Sequence, residues 1–379
     1  MSGYFLYHSI GTFPGKAEAM SAALSAFSEV WSAEDDGQWP AAMAARQRFI
    51  DTWCSVIDAP AGSLTTAENV TAALYSLIGG LPKARLEGRR FLVAGDCFPS
   101  LHFLLAKLAD RFGFVLDTVP LRPGETWVRD EDVIARWQDD VGVALLTFVT
   151  STSSHRCDVA RLAEHGRRMG TLVGVDITQG VGVAPFTVSG TGVDFVVSSS
   201  LKWLCGTSGA GILQVRPELL AACEPELRGW FSQENPFSWD LDKFAYASDA
   251  RRFDHGTPAI LASVASLPGL EWVVRTGLDA IRAHNLVLTE RIIERALENG
   301  WSVASPLDQR ERGGSVMLTL PEGADAGGIV TRLRAEKLYC DARGSTLRLS
   351  PGSVTCDESV EALFCGLERL IGWRERRAS

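Results

Sequence analysis

Lys202 carries the first chemical argument. It follows an apolar, β-rich run, Val193–Ser200, and precedes the glycine-rich stretch Gly206–Gly211. A lysine at the carboxyl end of a strand in a parallel sheet stands where such folds place their ligands. Burial makes its amine lose charge readily, which suits imine formation with a carbonyl compound. Taken alone, the position is more often that of a solvated loop lysine. Asp176, in Val175-Asp-Ile-Thr-Gln-Gly180, ends the preceding strand-like run. Its carboxylate can pair with a protonated pyridine nitrogen and so keep such a ring an electron sink. It can also cap a helix, because Asp and Thr both favour that position. The spacing raises its interest: Asp176 and Lys202 end neighbouring strands about one βαβ unit apart.

Two further segments supply what a phosphate needs. Thr65-Thr-Ala-Glu-Asn69 precedes the helical run Val70–Leu77, so Glu68 and Asn69 sit at a helix start, where backbone N–H groups attract anions. Ser198-Ser-Ser200 places hydroxyls just ahead of the lysine. Phe98, in Asp96-Cys-Phe-Pro99, lies just beyond another strand and can stack on a flat ring. Each feature has a plain structural alternative, a cap or a core aromatic.

The elements that must position these residues alternate along the middle of the chain. Strand-like runs at 90–96, 114–119, 141–150, 172–176, 193–200 and 210–215 are separated by helical patterns at 101–112 and 158–169. Short β-rich runs between helices indicate βαβ units and a mostly parallel sheet covered on both faces. From about residue 260 the pattern changes. One long helical stretch, 262–299, leads to a strand at 315–320, a helix at 326–336, short strands near Tyr339 and Leu347, and a closing helix from Asp357. That is a small α+β lobe. The expected division is 1–50 as a segment packing back onto the small lobe, 51–260 as the large domain, and 261–379 as linking helix and small domain.

Composition narrows the function class. With 379 residues, 46% hydrophobic and 22% charged, the chain is an ordinary globular protein large enough for two lobes. A net charge of −9 argues against a nucleic-acid or anionic-membrane partner, and the basic end at Arg374, Arg376 and Arg377 is expected to be a solvated tail. Eight cysteines without any CxxC pair form neither a zinc pattern nor a disulfide framework, and are expected to be reduced thiols. The start, MSGYFLYHSIG, is no signal peptide, and no stretch approaches the ~18 apolar residues of a membrane helix, so a cytoplasmic protein is expected. A doubly wound nicotinamide dehydrogenase would need GxGxxG between strand and helix; Gly206, Gly209 and Gly211 have the wrong spacing.

The constellation resembles fold-type I pyridoxal 5′-phosphate (PLP) enzymes of the class V aminotransferase group, and within it looks most like kynureninase. The order is strand-Asp-x-x-Gln, then Ser-x-Lys with glycines after it, then Arg252-Phe-Asp-His-Gly-Thr-Pro258, then Leu347-Arg-Leu-Ser-Pro351. Tyr7-His-Ser-Ile-Gly-Thr-Phe-Pro14, Cys97-Phe-Pro-Ser100, Gly229-Trp230 and Cys340-Asp-Ala-Arg343 extend the match over nearly the whole chain. The resemblance implies an α/β fold with a mostly parallel large-domain sheet and a smaller C-terminal α+β lobe. It implies that Lys202 is the Schiff-base lysine and proton shuttle, and Asp176 the partner of the pyridine nitrogen. It places Gln179 near the cofactor's phenolic oxygen, Phe98 on the ring face, the Glu68 and Asn69 amides on the phosphate, and the Ser200 hydroxyl on the phosphate. Thr257 and Trp230 would reach the phosphate from the neighbouring subunit of a homodimer with shared active sites. Arg348 would hold the substrate α-carboxylate, since a guanidinium offers bidentate geometry for that task. His8 stands at the family's opening Asn position, near the substrate.

Departures fall on the substrate side. Leu201 replaces the Tyr before the lysine, Gly229-Trp-Phe-Ser-Gln233 replaces Gly-Trp-Trp-Gly-His, and Gly352-Ser-Val-Thr-Cys356 replaces a Pro-Leu-Tyr-Asn-like segment. The expectation is an enzyme acting on an L-α-amino acid at Cβ, by cleavage or elimination, with a substrate other than kynurenine. Class V aminotransferase or epimerase activity is the alternative. Cysteine desulfurase fits less well, since 313–337 contains no cysteine. A non-catalytic protein on the same fold would be expected to lose Lys202 or Asp176, and both are present.

Overall fold

The computed structural model describes the backbone of residues 3–378 and side chains through Ile371; the basic end at Arg374, Arg376 and Arg377 lies outside the described side chains. A seven-stranded sheet runs in the order 64–67, 211–215, 195–199, 172–176, 141–147, 90–94, 115–119. The five strands from 195–199 to 115–119 are mutually parallel, while Gly211–Val215 runs antiparallel to both of its neighbours. Alternation along each strand feeds two cores. Val196, Val173, Ala144 and Leu92 face one layer of helices. Phe195, Val197, Leu172, Leu145 and Val93 face the other. Large apolar side chains that are fully buried, such as Phe195, stabilise the sheet by about 1.5–3 kcal/mol each. This is the sandwiched, mostly parallel sheet expected from the runs of Val, Leu and Phe.

The smaller lobe is a four-stranded antiparallel sheet, ordered 341–343, 346–349, 316–319, 302–303, packed against the helices Leu278–Glu298, Ala326–Ala335 and Asp357–Ala378. The single helical stretch expected over 262–299 is two helices, Ile260–Thr276 and Leu278–Glu298. Gly277, at φ +87°, takes a backbone conformation that other residues adopt only under strain, and there the chain turns from one lobe to the other.

The chain start divides its packing. Gly3–Tyr4 pairs in parallel with Leu338–Tyr339 of the small lobe. The helix Gln38–Ile57 continues past the boundary expected at residue 50, and its Phe49, Ile50 and Trp53 belong to the large-domain core. Its apolar face packs on the helix Ile260–Thr276 and the large-domain core rather than on the small lobe.

Candidate active site

The carboxyl ends of the parallel strands open into a cavity of roughly 1220 Å³. Its wall includes His8, Glu68, Asn69, Phe98, Asp176, Gln179, Lys202, Thr257 and Arg348. Residues from both lobes and from the chain start therefore meet at one place. Ser200 and Trp230 are the two expected site residues absent from that wall.

Lys202 follows the Phe195–Ser199 strand in a loop stitched to the N-terminal segment. Gly11 N donates to Leu201 O at 2.9 Å, and Lys16 Nζ donates to Gly11 O at 2.7 Å and Gly206 O at 3.1 Å. A Cβ on Gly11 would lie 1.8 Å from the Lys202 carbonyl oxygen, so only glycine fits there. The Lys202 ammonium lies 5.5 Å from the Phe98 ring centroid and has no hydrogen-bond partner among the described residues. Burial pulls its pKa down to about 8; Asp176 opposes that shift and Arg348 adds to it.

Asp176, at the end of the next strand, is buried. Burial raises its carboxyl above the usual range, against hydrogen bonds from Thr178 and the charge of Lys202. Thr178 N donates to Asp176 Oδ1 at 2.9 Å, as does the Thr178 hydroxyl, whereas Oδ2 makes no hydrogen bond among the described residues. The Asp-x-Thr spacing was the available signal for this turn. Gln179 Nε2 donates to His8 O at 3.1 Å. An open carboxylate oxygen, a neutralisable amine and an aromatic face within one cavity are the donor set that a pyridinium aldehyde requires.

Asn69 caps the Val70–Ile78 helix, its Oδ1 accepting from Ala72 N at 2.9 Å. Glu68, Asn69 and the first turn of that helix border the cavity, consistent with an anion site there. Thr257 lines the cavity of its own chain. Its segment is tied down by a buried cluster: Arg46 donates to Asp254 through Nη1 at 3.0 Å and Nη2 at 2.7 Å, and Thr65 Oγ1 donates to Asp254 Oδ1 at 2.6 Å. Nothing in the sequence pattern announced Arg46, which also donates to Thr65 and Thr66, 19 and 20 residues away, and reaches Asp254 across 208 residues.

Ser200 is a correction. Its fully buried hydroxyl donates to Ala210 O at 2.8 Å and accepts from Trp53 Nε1 at 3.0 Å, while Ser199 lies on the cavity wall. Successive residues at a strand end point to opposite sides, so only one of the two hydroxyls can face the ligand. Trp230 packs instead in an aromatic cluster with Phe231, Trp39 and Phe237, at centroid distances of 4.4, 6.2 and 6.4 Å.

On the small-lobe wall, Arg348 is buried and engaged. Its Nε donates to Asp341 Oδ1 at 2.8 Å, Nη2 donates to Asp341 Oδ2, and Nη1 donates to Ser151 O at 3.3 Å. His8 Nδ1 lies 2.7 Å from Ser350 Oγ, and its Nε2 is 3.1 Å from Asp341 Oδ1, in ion-pair range but poorly aligned for a hydrogen bond. Burial lowers the His8 pKa and so favours the neutral ring, with Asp341 partly opposing that shift. Burial would raise the Asp341 carboxyl, but His8 and Arg348 together hold it well below the usual carboxylate range. Asp341 was in view only as part of a motif; its register partner revealed its role. Among the departures, Leu201 lines the cavity, whereas Ser232 is buried against Gly229 N and Asp254 O, and Gly352 and Ser353 pack on Tyr7.

No group of three or more metal-ligating side chains occurs among the described residues, and none of the described helices is long and apolar enough to cross a membrane. The aminotransferase class-V family model matches residues 56–347. An uncharacterized aminotransferase, YcbU of Bacillus subtilis, is 27% identical over 318 residues, covering 83% of this chain and 80% of that protein. A kynureninase of Geobacillus thermodenitrificans is 29% identical over 279 residues, 70% of this chain and 64% of that one. Among solved structures, an apo cysteine desulfurase from Thermococcus onnurineus has a TM-score of 0.86 at 19% identity, covering 98% of this chain and 95% of that chain. The cystine C–S lyase C-DES, in complex with cysteine persulfide, has a TM-score of 0.85 at 17% identity, with 97% and 98% covered. The structural likenesses establish the fold; the family match, which spans most of the chain and includes Asp176 and Lys202, establishes that the chain belongs to the class V aminotransferase family of fold-type I, PLP-dependent enzymes.

Proposed function

We propose that the protein carries PLP covalently on Lys202 Nζ and acts on an L-α-amino acid at Cβ, by cleavage or elimination, with a substrate other than kynurenine. One observation carries this reading. An unpartnered lysine of lowered pKa stands in a cavity with an aromatic face and a buried carboxylate that has one open oxygen. Bound there, PLP supplies an electron sink for the bonds at the substrate Cα. Asp176 would hold the ring nitrogen and Gln179 would lie beside the phenolic oxygen. Phe98 would cover the ring face, and the amides at Glu68 and Asn69, with Thr257, would hold the phosphate. Lys202, titrating near 8, is suited to take up and return the Cα proton, because a general base works best near the ambient pH. Arg348, fixed by Asp341, would receive the α-carboxylate, and His8 would border the substrate.

Chemistry at Cβ is supported by the resemblance to kynureninase and by the likeness to a cystine C–S lyase. Desulfuration by a protein thiol is disfavoured: Cys340 is buried in the small-lobe core, where burial pushes its thiol up to about 12. The likeness to an aminotransferase keeps transamination as the second reading. The segment after Trp230 exposes Phe237, Trp239 and Leu241 at 71, 82 and 98%, an apolar surface suited to a second copy of the chain. A homodimer, with Trp230 and Thr257 near the partner's site, is therefore part of the proposal; a monomer in sedimentation at micromolar concentration would remove that part.

The test is incubation of the PLP-loaded protein with L-kynurenine, 3-hydroxykynurenine and a panel of other L-amino acids. The expected result is negligible anthranilate and turnover of another amino acid at Cβ. A site that lacks partners for a buried polar group rejects that substrate by orders of magnitude. Efficient release of an anthranilate would make this an ordinary kynureninase. Transfer of the amino group to a keto acid would favour the aminotransferase reading, and recovery of the D-enantiomer an epimerase.

A further inference from the structure

We infer that Arg343 recognises a second anionic group, carried on the substrate's side chain, so that the substrate class is L-α-amino acids with a carboxylate or sulfinate beyond Cβ. This rests on the reading above, in which Arg348 takes the α-carboxylate. The antiparallel ladder pairs Asp341 with Arg348 and Arg343 with Thr346. Opposite residues of a ladder share a face, as do residues two apart in one strand. Asp341, Arg343 and Arg348 therefore rise from one face, with the two arginines as diagonal neighbours, at a typical spacing of about 7–8 Å. Both arginines line the cavity.

The two guanidiniums are in different states. Arg348 is buried, its charge met by Asp341 and its Nη1 by Ser151 O. Arg343 is exposed, and it has neither ion pair nor hydrogen bond among the described residues. None of the acids on the cavity wall pairs with it: Asp254 is held by Arg46, and Asp176, with one oxygen on Thr178, and Glu68, at a helix start, belong to the large domain. Arg343 is thus the uncompensated cation of the small-lobe wall. A guanidinium cannot shed its charge, and its planar fork matches a carboxylate or sulfinate. With the α-carboxylate at the deeper arginine, the outer one meets whatever the side chain presents.

Charge-assisted hydrogen bonds of this kind discriminate by roughly tenfold to a hundredfold. The experiment titrates the PLP-loaded protein, wild type, Arg343→Gln and Arg343→Lys, and reads the change in the cofactor's visible absorption. The ligands are L-aspartate and L-cysteine sulfinate, with L-asparagine and L-2-aminobutyrate as neutral counterparts. The acidic pair should bind more tightly to the wild type by that factor. Arg343→Gln should abolish the difference while leaving the neutral pair unchanged, and Arg343→Lys should restore part of it. Equal affinity of the wild type for both pairs would overturn the inference, as would equal weakening of all four ligands by Arg343→Gln. Failure of every amino acid to bind PLP-loaded protein would overturn the functional reading as well. The neutral ligands separate the two failures, since they still bind if only the role of Arg343 is wrong.

Discussion

The two walls of the cavity differ in how their charges are paired. On the large-domain wall, Lys202 has no hydrogen-bond partner among the described residues and Asp176 keeps one oxygen open. On the small-lobe wall, Arg348 is clasped by Asp341, which is itself shared with His8. Leaving a lysine and a carboxylate incompletely satisfied in a buried place costs stability, and it is retained where an incoming group will complete the set. A closed guanidinium–carboxylate pair instead fixes the orientation of the arginine. On the proposed reading, a cofactor completes one wall and the other orients the substrate.

The difference between the walls depends most on Asp176. Asp176→Ala should lower PLP affinity and cut turnover by orders of magnitude, because the ring nitrogen would lose its counter-charge and its proton. Near-normal turnover with full cofactor occupancy would reduce Asp176 to a partner for the Thr178 turn.

Next in size is the scaffold behind the phosphate end. Arg46 and Asp254 are each 3% exposed, and Arg46→Ala would leave the Asp254 carboxylate buried and unpaired. Removing one partner of a buried pair costs about 3–5 kcal/mol, to be read from urea denaturation, and PLP binding should weaken with it. A change below about 1 kcal/mol, the range of surface pairs, would show that the cluster is solvated in solution.

Gly11→Ala should have a smaller effect, since the new methyl group would meet the Lys202 carbonyl oxygen and force the two segments apart. Overpacking of this kind costs about 1–3 kcal/mol and should slow cofactor capture more than it lowers Tm. Unchanged capture would show that the N-terminal segment does not position the lysine.

The gentlest probe is pH. Burial disfavours the charged amine, so the Lys202 pKa falls from 10.5 to about 8. The nucleophilic, neutral form therefore accumulates as pH rises through about 8. The rate of PLP capture by cofactor-free protein should climb over that range and level off above it. A rate still rising toward pH 10.5 would mean that the lysine is solvated.

The parallel strands and the positions of Asp176 and Lys202 at strand ends were legible in the sequence, because a buried strand needs an uninterrupted apolar run and its end is marked by the first polar residues. The anchoring of that wall was not. Trp53 meets Ser200 across 147 residues and Arg46 meets Asp254 across 208, and no local periodicity encodes such pairs. The choice between Ser199 and Ser200 turns on a single-residue register, which composition does not specify. Asp341 and Arg348 stood seven residues apart in view, but their pairing follows from the hairpin register. The break at Gly277 was masked because the helical pattern is strong on both sides of it.

On the proposed reading Lys202, and no other lysine, carries the cofactor. Borohydride reduction of the PLP-loaded protein followed by peptide mapping addresses it directly. The expected result is a pyridoxyl group on Lys202 alone, with Lys202→Ala losing both the label and the visible absorption band. A label on Lys16, Lys83, Lys107 or Lys243, or a Lys202→Ala chain that still reduces onto a stable adduct, would contradict it.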